Sequence, residues 1–412
     1  MSAEGKRLRL SKIIDPVDGK AIVVAADHGM MLGPIPGAAD LASTLEKVVE
    51  GKPDAILISI GQLSRLTRFF LGRSAPAVLM RADWTNAFRD RAYTLPARST
   101  QFCPVTSPKN AAALGADAIT IYLFIGYQDE EQESLHLKQA SNFAKDCDEF
   151  GLPLVIEPIP MGPRVTKANY HKLVAMSVKL AVEVGADALK VPYTGDPETF
   201  NSVIAAAKGI PVLVLGGYRA LSAREPLEAI EEALSVGASG VVFGRNVIQS
   251  SDPAQTLRLI RKVVHEGKSA REALAGTLVG PIRLKMNPNL CTGCRLCLQA
   301  CAMVHEANFD TTKSRLRVQG TWPNPTKLII CTQCGLCVQA CPTGALTMDA
   351  KVGGVRYERD PCDLCGECLR ACPYDLPIVD DRVRICDLCG GWPECADWCP
   401  TKALEMTGGT TV

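Results

Sequence analysis

From Ala21 to Val247 the chain alternates short apolar runs with stretches whose apolar residues recur at helical spacing, a pattern that argues for parallel strands covered by helices. Eight runs are predicted to be strands, at 21–26, 55–60, 77–82, 118–124, 153–158, 188–192, 211–215 and 240–243. Segments such as 170–184 and 226–236 carry the helical period between them. Gly-Ala-Asp or Gly-Ala-Ser triplets at 115–117, 185–187 and 237–239 close helices and open strands; glycine fits there because a helix often stops at a left-handed residue. Eight strand-helix units in roughly 250 residues match a (β/α)8 TIM barrel, an α/β fold. A doubly wound sheet is the rival, but no glycine-rich dinucleotide turn follows the first run.

The periodicity breaks at 276–290, where two glycines and two prolines read as a linker. Beyond it the pattern is set by cysteine: 16 of 18 cysteines follow residue 290. The chain of 412 residues, too long for one ordinary core, is therefore expected to hold a barrel over 1–275, a linker over 276–290 and a small α+β domain over 291–412. A formal net charge of +1 with interspersed charges argues against nucleic-acid or membrane-surface partners. No apolar run approaches the ~18 to 20 residues of a membrane helix, and the basic start is not followed by a signal-type apolar region. A soluble, cytoplasmic protein is expected.

The cysteines fall into quartets: Cys291, Cys294, Cys297 and Cys301; Cys331, Cys334, Cys337 and Cys341; Cys362, Cys365, Cys368 and Cys372; and Cys386, Cys389, Cys395 and Cys399. The first three share the spacing C-x2-C-x2-C-x3-C, and the fourth widens one gap. Three thiolates within seven residues wrap one face of an iron–sulfur cube, while the fourth cysteine is carried off on the following helix; in two-cluster ferredoxins it ligates the partner cluster. Structural zinc suits this less, since zinc sites pair one C-x2-4-C with a second, distant pair. Disulfides suit it less again without a secretory signal. Four [4Fe-4S] clusters are expected, with no organic cofactor in the barrel. Cys103 and Cys147 stand alone and read as packing residues.

A barrel places its chemistry at the C-terminal ends of its strands. Asp27 and His28 end the first run, Glu157 lies in the fifth, Lys190 and Tyr193 are in or just after the sixth, Gly216 and Gly217 end the seventh, and Gly244 and Arg245 end the eighth. Lys190 is the sharpest signal, because its strand is otherwise apolar enough to bury. Burying an ammonium favours the neutral amine, the form that attacks a carbonyl and makes a Schiff base. The plainer alternative is a lysine ion-paired with Asp27 or Glu157 across the barrel mouth. Glycines at the ends of strands seven and eight suit phosphate held by backbone N–H groups. Together these residues describe a barrel that binds a phosphorylated carbonyl compound as an imine.

The segments GKRLRLSKIIDPVDGKAIVVAADHG (5–29), LKVPYTGD (189–196), VLVLGG (212–217) and GVVFGRNVIQSSDP (240–253) resemble the archaeal-type class I fructose-bisphosphate aldolases and aminodideoxyheptulosonate synthases of the DeoC/LacD-like aldolase family. The resemblance covers 5–275. It implies that Lys190 is the Schiff-base lysine, Asp27 a polar active-site partner, and Gly216, Gly217, Gly244 and Arg245 the phosphate site, and it implies a homo-oligomer. One departure stands out. The family carries W-x-Y-P-R-G at the end of strand five, its tyrosine serving as acid/base, whereas this chain reads Glu157-Pro158-Ile159-Pro160-Met161-Gly162. Glu157 is the candidate replacement, with Tyr193 in reserve.

The stretch CTGCRLCLQACAMVHEANFDTTKSRLRV (291–318) resembles the opening of the four-cluster polyferredoxin subunits that accompany tungsten aldehyde:ferredoxin oxidoreductases, over 286–412. That resemblance implies an aldehyde oxidoreductase as redox partner. It also implies exchanged ligation, in which Cys399 joins Cys291, Cys294 and Cys297, Cys301 joins Cys386, Cys389 and Cys395, Cys372 joins Cys331, Cys334 and Cys337, and Cys341 joins Cys362, Cys365 and Cys368. The expected function is thus a class I aldolase, a carbon–carbon lyase, fused to an electron-relay module. The alternative is an electron-transfer subunit whose altered barrel is an oligomerising scaffold.

Overall fold

The computed structural model describes residues 2–89, 93–217, 224–250, 252–274, 278–320, 327–350 and 352–411. The chain divides into two units, Met1–Ala273 and Leu274–Val412.

In the first unit eight strands close into a barrel: β1 (Ala21–Ala25), β2 (Ala55–Ser59), β3 (Ala77–Arg81), β4 (Ala118–Ile125), β5 (Leu154–Pro160), β6 (Ala188–Pro192), β7 (Val212–Leu215) and β8 (Gly240–Phe243). Each pairs in parallel with its sequence neighbours, and β8 returns to β1 with Ala21 opposite Gly240. All eight expected strands are present, their ends within two residues of expectation. Strands β1 to β6 are buried along their whole length, as strands must be when a packed interior lies on one face and helices on the other. A (β/α)8 barrel is therefore the first half of the fold.

Local chemistry fixes both ends of the strand-helix units. Helices Pro108–Ala113, Pro197–Ala206 and Pro253–Val264 each start with proline, behind Ser107, Asp196 and Asp252, whose side chains accept the backbone N–H of Asn110, Thr199 and Gln255. Such caps satisfy donors that the first helical turn leaves free. At the opposite rim the acid preceding a strand binds the neighbouring strand: Asp54 accepts from Ile22 N, Asp117 from Val78 N and Asp187 from Leu154 N. Gly115 and Gly185, with φ of +86° and +103°, make the turns that aim the last two acids. Ile13 and Ile14 plug this rim against Ala21, Ala55, Ala77 and Ala188. The closed floor leaves the C-terminal ends of the strands as the open mouth.

The second unit is laid out by its quartets. Three antiparallel ribbons separate them: Arg317–Gln319 with Lys327–Ile329, Leu346–Met348 with Val355–Tyr357, and Ile378–Val379 with Val383–Arg384. A short helix follows or carries the third cysteine of each quartet, at Leu296–Glu306, Leu336–Gln339, Glu367–Arg370 and Glu394–Asp397. Gly335 and Gly366 sit at φ near +78° and +77° just before their helices, where the loop must turn to point successive thiols inward. Arg295 adopts the same left-handed conformation in the first quartet.

Residues 278–290 of the expected linker are not free chain. Within them β9 (Leu278–Met286) pairs antiparallel with β10 (Leu404–Thr411), Met286 facing Leu404 and Leu278 facing Thr411. The glycine and proline that argue for a linker mark a break in register between Val279 and Ile282, the kind of bulge where a strand tolerates proline. Ile282 is fully buried on that strand. The second unit therefore begins before its first cysteine.

Candidate active site and cysteine clusters

Inward-facing positions follow a period of two, so the last inward residue of each strand is the one presented to the mouth. On β5 and β6 these positions are Glu157, Ile159 and Lys190, Pro192; on β3 and β4 they are Arg81 and Tyr122. They line or underlie a cavity of about 280 Å3 that also reaches Asp27, His28, Gly216, Gly217, Gly244 and Arg245. The structure brings together every barrel residue singled out from sequence except one.

That one is Tyr193. Three residues beyond Lys190, it falls on the outward face of the alternation. Its hydroxyl donates to Glu232 Oε2 at 2.6 Å and its ring packs edge-on against Phe200. Burial and Glu232 push its phenol well above the usual value. Tyr193 does not line the cavity, so it is withdrawn as reserve acid/base.

Lys190 Nζ lies 2.9 Å from Glu157 Oε1, which is the ion pair of the plainer alternative and also a nucleophile within reach of a proton carrier. The other Glu157 oxygen accepts from Arg81 Nη2 at 2.6 Å. Arg81 Nε donates to Asp27 Oδ2 at 2.8 Å, and Arg81 Nη1 is 3.4 Å from Asp83 Oδ1. Arg81 is wholly buried with its guanidinium 3.9 Å over the Tyr122 ring. Burial alone would raise the Asp27 carboxyl, but Arg81, Lys190 and His28 together hold it below the ordinary carboxylate range. Burial pushes the Asp83 carboxyl up to about 7 against the pull of Arg81 and of the Tyr122 backbone N–H, which it accepts at 2.8 Å. Burial likewise lowers His28, with Lys190 and Arg245 adding to the effect over the opposing pull of Asp27. The site thus holds ionised Asp27 and a neutral imidazole at neutral pH, with one lysine facing solvent-accessible space.

The sequence reading does not single out Arg81, Asp83 or Tyr122. The signal was the same as for Lys190, a charged residue ending an apolar strand, in Ala77-Val-Leu-Met-Arg81-Ala-Asp83. At the glycine ends, Arg245 Nη2 donates to Gly217 O and Asn246 Nδ2 to Gly216 O, both at 2.9 Å. A Cβ on Gly244 would meet the His28 ring at 2.1 Å. Only glycine therefore lets this backbone come so close to the cavity.

In the second unit the thiols gather across quartets. Cys297 is pushed up to about 12 by burial, with Cys294, Cys291 and Cys399 adding their repulsion. Burial raises Cys331 with Cys372 and Cys334 beside it, and Cys368 with Cys365 and Cys341 beside it. Burial pushes Cys389 up to about 12, with Cys301 among its repelling neighbours, and Cys395 has both Cys389 and Cys301 beside it. One cavity is lined by Cys331, Cys334, Cys337 and Cys372 together with Cys386, and a neighbouring one by Cys301, Cys386, Cys389 and Cys395 together with Cys331. Crowded, buried thiols oppose their own ionisation until cationic metal lies between them, so these foursomes fit iron–sulfur ligation. Backbone N–H groups already point at sulfur: Arg315 to Cys301 at 3.3 Å and Leu404 to Cys399 at 3.4 Å. Of the two lone cysteines, Cys147 is buried and Cys103 exposed.

Comparison with known proteins accords with both halves. Residues 21–250 match the DeoC/LacD family aldolase, and residues 288–345 and 330–376 match 4Fe-4S dicluster domains. An uncharacterized aldolase of Saccharolobus solfataricus is 34% identical over 275 residues, which are 66% of this chain and 98% of that one. A 2-amino-3,7-dideoxy-D-threo-hept-6-ulosonate synthase of Halobacterium salinarum is 32% identical over 276 residues, 67% of this chain and 97% of that one. The solved structure of an archaeal fructose-1,6-bisphosphate aldolase, with its catalytic lysine covalently bound to the carbinolamine intermediate, superposes with a TM-score of 0.55 at 26% identity, covering 63% of this chain and 99% of that chain. Among the described residues no helix is long and apolar enough to cross a membrane. With the closed parallel barrel and its mouth-facing lysine on one side and the cysteine foursomes on the other, the chain belongs to the DeoC/LacD family of aldolases and carries 4Fe-4S ferredoxin-type domains at its C-terminal end.

Proposed function

We propose that the barrel is a Schiff-base aldolase acting on a phosphorylated carbonyl compound. The observation that carries this reading is the 2.9 Å contact between Lys190 and Glu157 inside an open cavity. Proton transfer from the ammonium to Glu157 frees the amine, which attacks the substrate carbonyl; Glu157 returns the proton to the carbinolamine hydroxyl, which leaves as water to give an iminium. The iminium is the electron sink that lets the adjacent carbon–carbon bond break, and the departing hydroxyl's proton goes to the nearest base. Glu157 is that base: one oxygen reaches Lys190 while Arg81 fixes the other. Asp27, held ionised by Arg81, stabilises the positive charge that develops at Lys190. Gly216, Gly217, Gly244 and Arg245 hold the phosphate through backbone N–H groups and one guanidinium.

The test is kinetic. Lys190→Met should abolish turnover, whereas Glu157→Gln should still form the imine while slowing turnover by about 10²- to 10⁴-fold, the usual effect of losing a general acid or base. Equal rates for wild type and Glu157→Gln would sink the assignment of Glu157.

The four cysteine foursomes would hold four [4Fe-4S] clusters, which supply one-electron transfer. In this reading they exchange electrons with a tungsten-type aldehyde oxidoreductase, and the chain works as a cytoplasmic homo-oligomer. An aldolase releases an aldehyde and such an oxidoreductase consumes one, which gives the fusion a chemical rationale. Ile159, in place of the family tyrosine, favours a second reading in which the barrel only scaffolds the electron-transfer unit. A cavity that keeps lysine, glutamate and glycine ends together favours the enzyme.

A further inference from the structure

The cavity has two unlike poles. At the ends of β7, β8 and β1 it offers Gly216, Gly244, Arg245 and His28. The barrel order sets β4 and β5 across from β8 and β1, and the residues these strands and their neighbouring loops contribute to the lining are Phe88, Tyr122, Ile159 and Met161, with Tyr170 also on the cavity. Tyr122 and Ile159 are buried members of one apolar cluster against which Phe88 and Met161 pack. Burial and the neighbouring carboxylates keep the Tyr122 phenol neutral at any ordinary pH. Among the described residues the cations that line the cavity are Lys190, on β6, and Arg245, just after β8, with the neutral imidazole of His28 just after β1. Arg81 lies against this wall with its guanidinium 3.9 Å over the Tyr122 ring, but it is fully buried and already hydrogen-bonded to Asp27 and Glu157.

We propose that the substrate carries a single phosphate and that the aldehyde half, seated on the β4–β5 wall, is an alkyl or aryl aldehyde rather than a phosphorylated or polyhydroxylated one. This rests on the Schiff-base reading of Lys190. A second phosphate there would meet the phenol hydroxyls of Tyr122 and Tyr170 but, among the described residues lining the wall, no cation, and a desolvated anion without a cationic partner is strongly disfavoured. An apolar group gains instead, by about 10- to 200-fold per well-fitted methylene. In the cleavage direction the phosphorylated ketone condenses with Lys190 and expels water. The bond between the enamine carbon and the hydroxyl-bearing carbon breaks, its electron pair enters the enamine, the hydroxyl proton passes to Glu157 and the apolar aldehyde leaves. The enamine then takes a proton, and water hydrolyses the imine to release the shortened phosphorylated ketone and the free lysine. No oxidant or reductant is needed. The replacement of the family's tyrosine by Ile159 removes a hydroxyl from this wall, in keeping with an aldehyde that has no polar group to offer it.

The experiment runs the addition with the intact protein, dihydroxyacetone phosphate as donor probe, and isovaleraldehyde, phenylacetaldehyde, glyceraldehyde and glyceraldehyde 3-phosphate as acceptors, with products quantified by mass spectrometry. The apolar aldehydes should exceed glyceraldehyde 3-phosphate in kcat/KM by about 10²-fold or more. Ile159→Lys should narrow or reverse that ratio. A preference of the wild type for glyceraldehyde 3-phosphate would overturn the proposal. Exchange of solvent deuterium into dihydroxyacetone phosphate without any acceptor reports the enamine alone. Exchange combined with rejection of apolar aldehydes would remove the substrate claim and leave the Schiff base standing, and absence of exchange would remove both.

Discussion

Replacing Arg81 by methionine removes the cation that contacts Asp27, Asp83 and Glu157 together, while keeping an unbranched side chain over the Tyr122 ring. Arg81 and Asp83 are wholly buried and Asp27 nearly so, and water cannot take over from the guanidinium. Breaking one buried ion pair by deleting a partner costs about 3–5 kcal/mol. At about 2–4 °C per kcal/mol for a unit of this size, the barrel's thermal transition should fall by roughly 6 to 20 °C at pH 8. The pH dependence is the sharper check. Without Arg81 the stranded carboxyls rise above their unfolded values, and Asp83 starts at about 7 even with Arg81 present. An acid whose folded pKa is raised contributes stability below its unfolded pKa and loses it as pH climbs through the folded one. The deficit of Arg81→Met should therefore grow between pH 5 and pH 8. Circular dichroism melts of wild type and variant at both pH values, under anaerobic conditions, measure it. A deficit that is equal at the two pH values, or below about 1 kcal/mol, would show that Arg81 does not hold the carboxylates ionised.

Three further outcomes can be checked together with it. At the closed rim His265 Nε2 lies 2.9 Å from Asp54 Oδ2 and Nδ1 lies 2.6 Å from Asp18 Oδ2, so hydrogen bonding to Asp54 leads the rise in its pKa over the opposing effect of burial. Its contribution, about 1 kcal/mol for a half-buried charge-assisted contact, is complete below pH ~6.5 and lost as pH rises through the raised folded value; His265→Gln should remove that falling limb from the stability profile, and an unchanged profile would refute it. In the second unit, anaerobic protein should contain roughly sixteen iron atoms. Cys399→Ala should perturb the cluster of Cys291, Cys294 and Cys297, visible as a three-iron signal in electron paramagnetic resonance, and zinc in place of iron would contradict the account.

Much of this architecture was legible because each rule acted locally. The eight strands were readable because their apolar runs are bounded by turn glycines and acids such as Asp117 and Asp187. Lys190 was readable because a charge interrupts an otherwise apolar strand. Arg81 obeys the same rule, yet its partners Asp27 and Glu157 lie 54 and 76 residues away, and no local pattern tells a triply paired arginine from a solvated one. Tyr193 failed on parity: at three positions from Lys190 it faces the helices, where Glu232 receives its hydroxyl. The strand at Leu278–Met286 was obscured because its glycine and proline look like loop chemistry until Leu404–Thr411 is paired with it. The 4Fe-4S character of the second unit was readable from cysteine spacing. The gathering of the cysteines across quartets depends on the antiparallel return of the chain, which spacing alone leaves open.

The claim that Lys190 is a Schiff-base nucleophile is tested most directly by borohydride reduction of the anaerobic protein mixed with a phosphorylated ketone, followed by peptide mass spectrometry. A stable adduct on the peptide containing Lys190, absent from Lys190→Met, is the predicted result. An unmodified Lys190 peptide after reduction with phosphorylated ketones, or an adduct on another lysine, would contradict the account.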